Sequence, residues 1–259
     1  MRSRKKLSTI SALHYFKLVF RSLLFLAALA LYIINRIRGS ETLFGGVENR
    51  EGILVVIWLV FFIEMLLRFF PSRLESMGCQ KIFPRNYRPA ENPPKELPHT
   101  WRSTVVIALV WMGLNSIFGI LHLTGVLDGG IMLLISLFYS VCDMICILFF
   151  CPFQTWFMKN KCCGSCRIYN WDYAMMFTPL IFVNSPFALS LFCIALLLLI
   201  EWEVAYQLRP ERFYECANQS LSCANCPEKL CHHKKQLRGF LKKHWVQIAQ
   251  YAKLNLKRK

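Results

Sequence analysis

The side chains best suited to chemistry in this 259-residue chain are its 12 cysteines. Eight of them fall into two groups. The first is Cys151, Cys162, Cys163 and Cys166; the second is Cys216, Cys223, Cys226 and Cys231, followed by His232 and His233. Each group contains one C-x-x-C pair, Cys163 with Cys166 and Cys223 with Cys226. Such a turn aims two thiolates at one metal, and two such turns complete a tetrahedral four-thiolate centre. Cys151, Cys162, Cys216, Cys231 and His232 are then left for a second centre or for none. Iron–sulfur clusters also take four cysteine thiolates, and neither group has the two-two-three spacing of bacterial ferredoxins. Both an iron–sulfur cluster and zinc therefore stay open, with thiol redox chemistry as a third use. Cys79, Cys142, Cys146 and Cys193 stand alone or in apolar stretches, where cysteine behaves as a small apolar residue.

Asp143 is the second candidate, because an ionisable group deep in an apolar stretch is costly and points to function. Helical spacing puts Tyr139 and Cys146 on its face, with Ser136 two turns back. Trp111, Asn115 and Ser116 are expected at nearby depth on another helix, among Gly113 and Gly119, whose small size permits close approach. One reading is a proton or ion relay, or an anchor for a polar substrate. The other is an interhelical hydrogen bond that only holds the bundle together. Cys151-Pro152-Phe153 follows Asp143 by about two helical turns, so a redox metal near Cys151 would sit beside this polar face. The remaining charges in apolar stretches read as peripheral. Lys17 and Arg21 are expected to snorkel, Glu64 and Arg68 to pair four residues apart on one helix, and Glu201, Glu203 and His122 to be interfacial.

The elements that must position these groups follow from composition. The chain is 55% hydrophobic and only 18% charged, yet carries a net charge of +16. Disorder requires low hydrophobicity, and soluble domains average about 25% charged residues. Both classes are disfavoured. Stretches of the length a bilayer needs, about 20 apolar residues, run at about 16–37, 53–70, 104–124 and 131–150. A composite stretch from 169 to 208 is broken by Pro179 and by the turn signal Asn184-Ser185-Pro186. It divides into a short or re-entrant arm, about 169–183, and a full arm, about 187–207. The first stretch has a basic leader, but its small-x-small triplet Ala28-Leu29-Ala30 lies inside the apolar run, so a retained anchor is expected.

Basic residues collect on the cytoplasmic side. Of 31 Lys and Arg, 28 fall in the N-terminus, the second and fourth loops and the C-terminus. The predicted fold is therefore all-α: a polytopic helical membrane bundle of six segments over 1–208, the last two a hairpin, with both termini cytoplasmic. The bacterial cytoplasmic membrane is the expected location. The hairpin returns the chain to the side it left, so both cysteine groups share the reducing compartment, where clustered cysteines read as metal-binding or catalytic.

Residues 209–259 form a Cys-rich tail that ends in a basic amphipathic helix, about 237–254, with Leu237, Phe240, Leu241, Trp245 and Ile248 on one face. Anionic lipid is its expected partner, with packing on the cytoplasmic loops as the alternative. The positive charge flanks spans, which membrane orientation explains without nucleic acid. Residues 71–99 carry six prolines and read as an extended loop, with a short interfacial segment near 82–87. No phosphate-cradling glycine loop, G-x-S-x-G or H-E-x-x-H occurs. Three functions remain: a membrane redox protein with a metal centre, an interaction protein whose tail is stapled by structural zinc, and a small transporter component using Asp143 and Asn115.

Overall fold

The computed structural model describes residues 9–39, 51–70, 77–92, 94, 97, 101–159 and 166–222. Among them all regular structure is helical: α1 (Thr9–Ile37), α2 (Glu51–Phe69), α3 (Met77–Ile82), α4 (Trp101–Leu123), α5 (Gly129–Leu148), α6 (Asp172–Phe177) and α7 (Pro186–Leu208). Helices α1, α4, α5 and α7 are long and apolar enough to cross a membrane. At 20 residues, the shortest of them spans about 30 Å, the thickness of a bilayer core.

Their faces are patterned inside out. On α1, Phe16, Val19, Leu23, Leu26, Ile33 and Ile37 are exposed at helical spacing, while Ser11, His14 and Arg21 are buried. On α4, Val106, Leu109, Val110, Ile117 and Ile120 are exposed, while Thr104 and Asn115 are buried. A helix in a soluble domain turns its apolar stripe to the core. These helices turn theirs outward, which suits a hydrocarbon solvent, where polar groups must find partners inside the protein.

Helix α5 is the central element, with nine buried residues. Asp128 caps it by accepting from the Ile131 backbone N–H at 2.8 Å, and also accepts from the Tyr32 hydroxyl at 2.8 Å. α1 and α5 run antiparallel: Tyr32 meets Asp128 at one end, Phe25 meets Phe138 and Arg21 meets Asp143 in between, and Tyr15 meets Phe149 at the other.

Between α5 and α7 the chain returns through an irregular arm: a 3-10 turn (Tyr169–Trp171), α6, and a second 3-10 turn (Thr178–Phe182). Pro179 has no N–H to continue the α-ladder, and the Thr178 hydroxyl folds back on the Ala174 carbonyl at 2.7 Å. Because 3-10 geometry rises about 2.0 Å per residue against 1.5 Å, the arm reaches about 25 Å. Its contacts advance in order. Trp171 donates to Glu203, Phe177 meets Phe61, Thr178 accepts from Trp111, and Phe182 lies over Gly119. The backbone then turns at Val183–Ser185, and Pro186 opens α7 at a position where its missing N–H costs nothing.

At the end of the bundle that holds Arg68 and Glu203, residues 77–92 and 209–222 fold against each other. The bridge Pro89–Asn218 joins them, with Gln219 N donating to Arg88 O at 2.8 Å and Arg212 Nε to Ile82 O at 2.8 Å. Asn218 is fully buried and donates to the Lys81 and Arg212 carbonyls at 3.2 and 2.8 Å. The extended loop expected for 71–99 is thus corrected in its middle: Ile82 and Phe83 are core residues, because the tail supplies the apolar and hydrogen-bonding partners that the loop lacks alone. The amphipathic stretch at 237–254 lies outside the described residues.

Candidate functional site

Three cations and three carboxylates meet in the half of the bundle nearest that layer. Arg21 donates to Glu64 of α2, to Asp143 of α5 at 3.2 Å and to the Ser140 carbonyl at 3.0 Å. Lys17 lies 3.4 Å from Glu64, which also accepts from the Tyr173 hydroxyl at 3.2 Å. Arg68 donates to both Asp172 oxygens, at 2.6 and 2.5 Å, and its guanidinium stands 4.8 Å from the Tyr173 ring centroid. Among the described residues these charges balance, which is what a low-dielectric interior demands of ions it contains.

Two expectations are overturned here. Arg21 does not snorkel: its side chain is 1% exposed. Glu64 and Arg68 do not pair with each other, since each meets an opposite charge on another segment. The cause is the same in both cases. Carboxylates on α2, α5 and α6 reach the depth of the guanidinium groups, so neutralisation inside the bundle replaces escape to water. Glu203, expected to be interfacial, is paired with Arg167 and accepts from Trp171 Nε1 at 2.7 Å.

Beside this network lies a cavity of about 270 Å³ between α4, α5, the irregular arm and the π-turn Phe153–Phe157. Trp111, Tyr139, Asp143 and Asp172 face it, together with four cysteines: Cys142, Cys146, Cys151 and Cys166. The Trp111 and Tyr139 rings are 4.7 Å apart. The Tyr139 hydroxyl is buried and makes no hydrogen bond among the described residues. The Cys146 and Cys151 thiols are hydrogen bonded to each other, and the Cys151 sulfur accepts from the Gln154 backbone N–H at 3.4 Å.

The polar residues predicted around Asp143 divide. Tyr139, Cys146 and Trp111 join it at the cavity. Asn115 is buried but bonds the Trp111 carbonyl at 2.9 Å, Ser136 is buried and its hydroxyl has no partner among the described residues, and Ser116 is exposed.

Of the predicted metal ligands, Cys151 and Cys166 line the cavity and Cys216 is exposed. Cys162, Cys163, Cys223, Cys226, Cys231 and His232 lie outside the described residues. Among the described residues no three His, Cys, Asp or Glu gather as a metal site. Cys166 and Cys216 nevertheless belong to one end of the molecule. Arg167 stands 3.6 Å over the Tyr206 ring, and the Tyr206 hydroxyl bonds that of Tyr214, two residues before Cys216.

Sequence reasoning missed Arg21, Arg68, Asp172 and Asn218 as positioning residues. The available signal was the near equality of acidic and basic residues within the apolar stretches. No family model, no curated protein and no solved structure matches the chain.

Proposed function

We propose that this is an integral membrane redox protein of six membrane segments with both termini cytoplasmic, and that its two cysteine groups hold a metal at the cytoplasmic face. The observation that carries the reading is the chain Arg167–Tyr206–Tyr214, which ties the neighbour of Cys166 to the segment bearing Cys216. The C-x-x-C pairs Cys163/Cys166 and Cys223/Cys226 supply four thiolates, a set suited to an iron–sulfur cluster or to zinc. The advance of contacts along the arm at 169–183 supports a full crossing by a short, partly 3-10 segment. The bilayer is the main partner, with anionic lipid at the C-terminal basic stretch and the bacterial cytoplasmic membrane as location.

A second reading shares the same ligands: zinc staples the tail to the fourth loop, and the protein serves as an interaction platform. Transport through Asp143 is less well supported, because the Arg21 guanidinium already compensates that carboxylate. Anaerobic purification with an absorption spectrum and metal analysis separates them. Iron with acid-labile sulfide and broad visible absorbance is the expected result. Stoichiometric zinc without colour selects the staple. Absence of metal, with all eight grouped cysteines freely alkylated in the folded protein, overturns both.

A further inference from the structure

The cavity beside Asp143 has features that an acyl chain would not use. Two aromatic rings, Trp111 and Tyr139, flank it. The Tyr139 ring lines it while its hydroxyl is closed off from it, so the wall here is apolar. Two carboxylates, Asp143 and Asp172, stand at its wall, and two thiols in mutual contact, Cys146 and Cys151, form another part of it. Phe138, also at the cavity, is 50% exposed on the outer face of α5, so a ligand tail has a lateral way out. The volume, about 270 Å³, falls just below the usual range of ligand pockets, about 300–1,000 Å³. It suits one flat ring rather than an extended molecule.

We infer that this cavity receives the ring of a lipid-soluble quinone, and that the Cys146–Cys151 dithiol is the pair the quinone oxidises. The Trp111 and Tyr139 rings pack on the quinone ring. In the step, the two S–H bonds break and one S–S bond forms. The two electrons and two protons released convert the quinone to the quinol. The sulfur atoms are supplied by the last turn of α5 and by Cys151, two residues before the π-turn, so closing the bond requires no long-range movement. The inference rests on the redox half of the proposed function and not on the metal. A four-thiolate centre of Cys163, Cys166, Cys223 and Cys226 leaves Cys151 available.

The test uses full-length protein, purified anaerobically, reduced and reconstituted in lipid nanodiscs. Decylubiquinone is the probe, because its fully substituted ring cannot add a thiol. The expected result is one equivalent of quinol per chain, with peptide mapping locating one new disulfide between Cys146 and Cys151. Cys146→Ser and Cys151→Ser should each abolish the stoichiometric reduction. Trp111→Leu should leave both thiols in place and raise the quinone concentration for half-maximal reduction several-fold, the value of one aromatic stacking contact. Unchanged quinol yield in Cys146→Ser overturns the thiol step. Full reduction with the disulfide mapped elsewhere, or no reduction at all, overturns the site. Metal content is measured in the same samples. Loss of the metal reading with quinone reduction intact, or the reverse, separates the two ideas.

Discussion

Arg21 of α1 sets its Nη1 atom 3.2 Å from the Asp143 carboxylate of α5, across 122 residues of sequence. With Glu64 of α2 on its other nitrogen, one guanidinium joins three helices that no covalent link brings together. Breaking one partner of a buried pair leaves an uncompensated charge, at about 3–5 kcal/mol. Arg21→Met should therefore lower the apparent melting temperature in detergent sharply. Arg21→Met combined with Glu64→Gln should recover part of the loss, because the double variant strands fewer charges. Losses that simply add would show that the two side chains are not coupled.

Gly119 lets the irregular arm approach α4. A Cβ there would fall 2.4 Å from the Phe182 ring. Gly119→Val should cost about 1–3 kcal/mol by overpacking. Gly119→Ala together with Phe182→Leu should be close to wild type in a thermal unfolding scan. A Gly119→Val variant of unchanged stability would mean that Phe182 swings aside and that the arm is not pinned at this point.

Asn218 holds the layer formed by 77–92 and 209–222 through the Lys81 and Arg212 carbonyls. Asn218→Ala removes both hydrogen bonds from a buried site, at about 1–3 kcal/mol. Limited proteolysis should then cut this layer faster, while hydrogen exchange in α5 stays as slow as in wild type. Equal loss of protection in both would make the layer part of one cooperative unit with the bundle.

Cys216 and Cys193 are both exposed, whereas Cys166 is buried. A membrane-impermeant maleimide should label Cys216 in inside-out vesicles only. Cys193 sits amid the apolar α7, so it should react only with a lipid-soluble reagent. Labelling of Cys216 in right-side-out vesicles would invert the orientation.

Much of the architecture is already encoded locally. Apolar runs of bilayer length, the clustering of Lys and Arg, and the break at Asn184-Ser185-Pro186 depend on composition and on residues a few positions apart. The neighbourhood Asp143–Tyr139–Cys146 follows from helical period alone, and so it was legible. The destinations of Arg21 and Arg68 were not. Depth along a helix says how far a charge is from water, and both snorkelling and internal pairing satisfy that distance. Only packing decides between them, by bringing or withholding a counter-charge at the same depth. The cavity has the same origin. Its walls come from α4, α5, the π-turn and the arm, segments separate in the sequence. Sequence determined that this chain carries apolar runs of bilayer length and is rich in thiols. Tertiary structure decided which charges neutralise one another, and which thiols face one cavity together, because both depend on distances between segments that no local pattern records.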